Sequence, residues 1–258
     1  MFHEVALRLQ QMLTSHSYRI EEVIKLVNED TALASEMLKQ ANSCYNAGKA
    51  PITTIKSAIV RLGSQQIVNL AFSASLANNN SENPLIARFL AQLWQHSHIV
   101  AITSSWLAVE ACHRQRLANL NPDEVYLAGL FHDIGKLFLL KAMDNLIQVG
   151  IMKADTEMIE SILNDLATMM GVRLINYWKI PEIYADSIER HNADSWRSGT
   201  NDYLVAAVRL SCKIHHCLDS NSDLTDLDKR LPMFSEESFL LGIDDIEYLF
   251  DLEKSIID

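Results

Sequence analysis

Apolar residues recur at three- and four-residue spacing along almost the whole chain, and that period admits helices and little else. Breakers are scarce. Eight glycines and five prolines in 258 residues are too few to turn the many hairpins of a β protein of this length. The expected fold class is therefore all-α. With 48% hydrophobic residues the chain can bury a sizeable core, as one large domain or as two intimate lobes.

Local signals place the helices. Val5 to Leu13 and Ile20 to Val27 carry apolar faces. Asp30 or Thr31 can cap a third helix with Leu33, Met37, Leu38 and Ala41 on one side. Ile55 to Leu62 should stop at Gly63, after which Ser64 caps a helix bearing Ile67, Leu70, Ala71 and Ala74. The polar stretch Asn78 to Pro84 reads as a join. A long helix then runs from Leu85 to near Ala111, and Asn121–Pro122 opens the next, which carries Val125, Leu127, Leu130 and Phe131. Thr156 to Trp178, Pro181 to His191 and Tyr203 to Cys217 follow. Trp94, Trp106 and Trp178 stand at apolar helical positions and are expected to fill core. The aspartate-rich stretch Asp219 to Asp228 reads as a solvated loop before an amphipathic piece, Glu236 to Ile257. The expected organisation is an N-terminal helical lobe over 1–82, a second helical lobe over 83–218, and an acidic loop with a helical extension over 219–258.

Charge narrows the partners. Acidic residues outnumber basic ones by 33 to 22, a net charge of −11, which repels phosphate backbones and anionic lipid at long range. Neither nucleic acid nor membrane is expected as a partner. The helix–Gly–helix outline of residues 55–76 does not change this, because Ser64 to Leu76 contains no Lys or Arg to grip phosphate. No stretch of about eighteen apolar residues is present. Glu4 and Arg8 interrupt the N-terminus before a signal core could form. A cytoplasmic location follows, in which Cys44, Cys112, Cys212 and Cys217, with no CxxC spacing, are reduced thiols.

The chemistry concentrates in Gly129-Leu130-Phe131-His132-Asp133-Ile134-Gly135-Lys136. A vicinal His–Asp pair inside an apolar helix is costly to bury without partners. A divalent cation satisfies both an imidazole nitrogen and a carboxylate oxygen. Two ligands do not complete a site, and His96, on a strongly apolar helix, and His191, which closes Ile188-Glu189-Arg190-His191-Asn192, are the best candidates for the rest. Lys136, one turn beyond His132, either meets an anionic substrate or solvates its own turn. The plainer alternative for Asp133 is a helix cap. His98 reads as an ordinary hydrogen-bonded core histidine.

His96-Ser97-x-x-Val100-Ala101 followed by His132-Asp133-Ile134-Gly135-Lys136 resembles the HD superfamily of metal-dependent phosphohydrolases. A narrower resemblance is to the HDOD family (HD-related output domain). It is carried by Asp30-x-x-Leu33-Ala34, Leu38, Ala41-Asn42-Ser43, Tyr45, Ile55, Ala58-Ile59, Leu62-Gly63 and Ile67. Leu127-Ala128-Gly129-Leu130, then Gly171, Leu174, Trp178, Pro181, Ile188 and His191, continue it, so that it spans roughly Glu21 to Cys217. The resemblance implies an HD-type helical bundle with an N-terminal helical lobe. It implies His96, His132, Asp133 and His191 as metal ligands for Fe, Mn, Ni or Zn, with Asp133 and Lys136 as the catalytic residues of any active form and no other cofactor.

Departures from the pattern temper that activity. The superfamily's terminal metal aspartate falls on Cys212, a histidine often found four residues before Gly171 is Ala167, and a second histidine after His191 is Asn192. The implied function is a bacterial signal-transduction output module, a binding scaffold with a degenerate metal site that is partly filled or empty. Its partners would be signalling proteins or a small anionic ligand acting in trans. The alternative is a metal-dependent phosphohydrolase acting on a nucleotide or other phosphoester.

Overall fold

The computed structural model describes residues 4–14, 18–43, 52–77, 81–113, 120–178, 180–192, 202–219 and 248, and these contain helices and no strand. The chain divides into two compact units, one of residues 1–80 with Trp178–Ile180, the other of residues 81–177 and 181–258. The loop and extension expected beyond Asp219 lie outside the described residues, Tyr248 excepted.

The first unit contains α1 (Glu4–Thr14), α2 (Ile20–Asn28), α3 (Thr31–Ala41), α4 (Ile55–Leu62) and α5 (Ser64–Ala77). Its boundaries follow from side-chain chemistry. The Asp30 carboxylate accepts from the Leu33 amide at 3.0 Å and starts α3. The Thr54 hydroxyl accepts from the Ser57 amide at 3.2 Å and starts α4. Gly63 ends α4 with φ of 82°, a conformation that favours glycine. Leu9, Leu26, Leu33, Met37, Ile67 and Phe72 are fully buried and form the core of this unit. Asn42, just past α3, has a specific task. Its amide donates to the Ile52 carbonyl and accepts from the Ile52 amide, both at 2.8 Å, and donates also to the Leu38 carbonyl at 2.8 Å. One side chain thus ties the end of α3 to the backbone ahead of α4, which explains why asparagine, with a donor and an acceptor, stands there.

The second unit is built on α6 (Pro84–His113), a helix of 30 residues. Asn83 caps it, its side-chain oxygen accepting from the Leu85 and Ile86 amides at 3.0 and 3.2 Å, with Pro84 as the first helical residue. Packed on α6 are α7 (Pro122–Phe131), α8 (Ile134–Gln148) and α11 (Asp202–Asp219); α9 (Thr156–Tyr177) packs on α8, and α10 (Ile183–Arg190) on α7, α9 and α11. Ile86, Ile99, Leu107, Leu127, Leu130 and Phe131 are the large fully buried side chains here. Trp94, Trp106 and Trp178 are only half-buried, not core as expected. Their rings are too large for the tight helix contacts that small residues make.

Two glycines set those contacts. A Cβ on Gly129 would lie 2.7 Å from the Ala101 Cα, so α7 and α6 touch backbone to backbone. A Cβ on Gly135 would overlap the Ala167 carbonyl and lie 2.7 Å from the Gly171 nitrogen, so α8 and α9 do the same. No side-chain rotation relieves either overlap. Gly135→Ala is therefore expected to destabilise the protein by about 1–3 kcal/mol, the usual cost of overpacking. Denaturant unfolding checks this; a change within about 0.5 kcal/mol, typical of an innocuous surface site, would mean that α8 and α9 can part cheaply. In the first unit, Asn42→Asp keeps the shape but removes the donor, and the same assay should show a loss of about 1 kcal/mol or more.

Candidate metal centre

The His–Asp pair is not inside a helix, as its apolar surroundings suggested, but at a break between two. His132 is the C-cap of α7, and Asp133 (φ −111°, ψ 18°) leaves helical geometry before α8 begins at Ile134. The break frees both side chains to face one point. Asp133 stands at the N-cap of α8, yet its carboxylate makes no capping bond to that helix. The cap expected as the plainer reading is absent, and the carboxylate faces histidines instead.

The imidazoles come from three places. His132, 1% exposed, donates from Nδ1 to the Gly129 carbonyl at 2.6 Å, which leaves its Nε2 with a lone pair. His96 on α6 places its Nε2 3.0 Å from the His132 Nε2. His191, the C-cap of α10, donates from Nδ1 to the Ser187 carbonyl at 2.9 Å, so its Nε2 is also the acceptor atom. That Nε2 is buried, has no hydrogen-bond partner, and faces the Asp133 Oδ1 at 3.6 Å. The end of α10 is itself held: the buried Arg209 guanidinium on α11 donates to the Arg190 carbonyl at 3.1 Å, a cation at a helix C-terminus.

Two of the four expected metal ligands thus stand Nε2 to Nε2 at 3.0 Å, with the His132 nitrogen the acceptor, and a third is a buried acceptor aimed at a carboxylate. A divalent ion would engage these atoms together. Two imidazole nitrogens each about 2.0–2.1 Å from one divalent ion stand about 3 Å apart when they bind at a right angle. The residues present fit a metal ion. The donors fall into two groups, His132–Asp133–His191 and His96–His132–Cys212, each with its ligand atoms within 4.8 Å of one another. Cys212, buried and not in a disulfide, therefore borders the site.

Electrostatics sorts the charges. Burial pushes the His96 imidazole well below its ordinary range, and His132 adds to the effect. Burial likewise lowers His132, against the pull of Asp133. Burial alone would raise the Asp133 carboxyl, but His132, His191 and Lys136 outweigh it and hold the group well below the usual carboxylate range. The picture is of neutral His96 and His132 beside an ionised Asp133 carboxylate, the states a metal requires. Lys136, expected either to meet substrate or to solvate its own turn, pairs with the Asp133 Oδ2 at 2.7 Å and also lines a cavity of about 360 Å³. His96, Asp133, Phe89, Leu163 and Glu160 share that wall.

His215 and His216 on α11, which sequence reasoning passed over, line the same cavity; their rings stand 4.9 and 5.3 Å from that of His96. The signal was available, since Cys212, His215 and His216 have the spacing that shares one helix face. His98, expected to be hydrogen-bonded in the core, is half-buried and stacks on Trp94 at 4.8 Å, and its buried Nδ1 has no hydrogen bond.

A helical bundle in which a His–Asp pair at a helix junction meets imidazoles from two further helices belongs to the HD-type class. Within that class the chain belongs to the HDOD family, whose domain model matches residues 1–194. Three solved structures share the fold. A protein of Shewanella amazonensis SB2B, provisionally named a metal-dependent phosphohydrolase, is 21% identical with a TM-score of 0.73, over 100% of this chain and 92% of that one. An HDOD domain protein of unknown function from Geobacter sulfurreducens is 22% identical with a TM-score of 0.66, over 100% and 89%. A protein of Marinobacter aquaeolei VT8, provisionally named a signal transduction protein, is 17% identical with a TM-score of 0.56, over 100% and 60%. An uncharacterized protein of Treponema pallidum (strain Nichols) is 20% identical over 96% of this chain, which spans about half, 49%, of that relative's length. Among the described residues no helix is long and apolar enough to cross a membrane.

The lowered histidines give a pH prediction for metal-free protein. His96 and His132 stay neutral in the fold, whereas in the unfolded chain they take up protons near their ordinary value of about 6.5. The unfolded state then binds more protons, so stability is full above that value and is lost as pH falls below it. Denaturant unfolding of chelated protein should show falling stability from about pH 7.5 to about pH 5.5. The slope should flatten in His96→Asn/His132→Asn, and an unchanged slope would place the pH dependence elsewhere.

Proposed function

We propose that the chain is a bacterial signalling output module in which the second helical unit is a binding scaffold. It would hold one divalent ion on His96, His132, Asp133 and His191 and take a small anionic ligand in the cavity beside them. Membership of the HDOD family supports this, as does the name given to the Marinobacter neighbour. The observation that carries it is the donor chemistry. Among the described residues Asp133 is the only carboxylate in the two metal-capable groups, and one of its oxygens is already bound to Lys136. Cys212 stands where the superfamily pattern has a second carboxylate, and Ala167 is apolar and buried where a histidine is often found. A hydrolytic centre needs an open position and an oriented supporting shell. Here that shell is reduced, while Lys136 remains on the cavity wall as a charged donor that an anion could meet, beside Asp133 and Glu160.

The alternative, phosphoester hydrolysis, draws on the name given to the Shewanella neighbour and on one feature of this chain: the cavity opens directly on His96, Asp133 and Lys136. A divalent ion held there supplies Lewis acidity toward a phosphoryl oxygen. In that reading Lys136 positions the phosphate, and His215 with His216 closes one side of the site. Compartment and pathway partners belong to the same proposal: a cytoplasmic module whose signalling partner acts in trans.

Metal analysis by mass spectrometry on untagged protein tests the centre. Both His132→Ala and Asp133→Ala should sharply lower bound Fe, Mn, Ni or Zn, and unchanged content in both variants would remove the site. Chelator should leave cooperative unfolding intact, because both units have apolar cores of their own. Turnover of a phosphoester panel by the metal-loaded protein, lost in Asp133→Asn, would replace the scaffold reading with the enzymatic one.

A further inference from the structure

We infer that Cys212 is a sulfur ligand of the proposed metal centre. On this inference His132 is shared between two overlapping donor sets of unlike hardness, so the kind of ion determines whether it leans on Cys212 or on Asp133 and His191. The inference rests on the metal centre proposed above and adds to it a ligand and a selectivity.

Three observations carry it. The Cys212 Sγ and the Nε2-bearing rings of His96 and His132 place their ligand atoms within 4.8 Å of one another, and so, separately, do His132, Asp133 and His191. His132 alone belongs to both sets, and its hydrogen bond to the Gly129 carbonyl leaves one nitrogen, Nε2, to serve either. The two sets adjoin at that nitrogen. His96 on α6 and Cys212 on α11 make up one, and Asp133 with the orphaned Nε2 of His191 the other, while the His96 Nε2 also stands 3.8 Å from the Asp133 Oδ2.

The two sets differ in chemistry. Two neutral imidazoles and a thiolate suit a borderline-soft ion such as Zn²⁺ or Co²⁺, whereas two imidazoles and a carboxylate accept harder Mn²⁺ or Fe²⁺. Each set supplies one negative charge. Binding at the sulfur side releases the thiol proton to solvent and leaves the Asp133–Lys136 pair untouched. Binding at the other side uses the Asp133 Oδ1, because Oδ2 already holds the Lys136 ammonium at 2.7 Å. Neither mode asks the protein to break its buried ion pair.

The test is titration of the chelated full-length chain with Co²⁺ alone and with Mn²⁺ alone. Co²⁺ should produce a near-ultraviolet sulfur-to-metal charge-transfer band that is absent in Cys212→Ser. The ratio of Co²⁺ to Mn²⁺ affinity should fall at least about tenfold in Cys212→Ser and rise by a similar factor in His191→Ala, the low end of what losing even a supporting group costs a metal site. If Cys212→Ser does not fold, Cys212→Ala and the His191→Ala arm decide the question. Co²⁺ binding without the band, or a band that survives in Cys212→Ser, would overturn the sulfur ligand while leaving the centre standing. Equal loss of both ions in each variant would overturn the two overlapping sets. Failure of the parent chain to bind either ion would remove the centre itself and the inference with it.

Discussion

The hydrogen bond from the His132 Nδ1 to the Gly129 carbonyl is the interaction on which the site depends. It forms because α7 stops at Phe131 while His132 is still close to the last turn, so the ring folds back onto a carbonyl that helix termination leaves free. The same residue that supplies the carbonyl, Gly129, lets α7 press against the backbone of α6 at Ala101. That contact brings His96 to within 3.0 Å of His132. One turn further, Gly135 presses α8 onto α9 in the same way, which fixes the direction in which Asp133 leaves the junction. Tautomer, ring position and carboxylate direction thus follow from two glycine contacts and one helix break.

The junction also explains how so polar a cluster survives burial. A buried carboxylate is costly unless its charge is met, and Asp133 meets Lys136 directly, with imidazoles around it. His96 and His132 in turn are kept neutral by burial. His132 and His191 spend Nδ1 on helix carbonyls, at Gly129 and Ser187, which leaves Nε2 to the site. The cluster is satisfied on its outside and leaves one buried acceptor unmet at its centre. The orphaned Nε2 of His191 is the sharpest sign of this.

Much of this was legible in the sequence. The helical period gave the fold class, and Asp30, Gly63 and Asn121 marked helix ends where the structure has them. His96, His132, Asp133 and His191, read from a motif, converge in space. The break at His132–Asp133 was not legible, because apolar residues continue in helical register on both sides of it. What ends α7 is not a breaker residue but the non-helical backbone of Asp133. The part played by Arg209 was hidden for a related reason, since a buried arginine at a helix end depends on tertiary contact, which spacing does not encode. His215 and His216 were passed over although Cys212 had been placed by register. One turn of helix separates them, and following that face would have found the cavity wall.

Substitution of sulfur for a carboxylate at the fourth position bears on what such a site can do. A second carboxylate would add a hard ligand and a second negative charge close to the ion. A thiolate adds the charge but disperses it onto a polarisable atom that prefers softer metals. With Cys212 as a ligand, the protein would keep the neutralising charge while weakening the hard, oxygen-rich character that phosphoryl chemistry uses. The cavity beside it keeps Lys136 and imidazoles in its wall together with Glu160, and Lys136 is held in place by Asp133. Anion recognition depends on that wall and on local charge. Hydrolysis depends on the ion's hardness and on a group free to move a proton. Of these requirements, the arrangement around His132 keeps those for binding more fully than those for turnover, which is the physical basis for proposing a binding scaffold ahead of a phosphohydrolase.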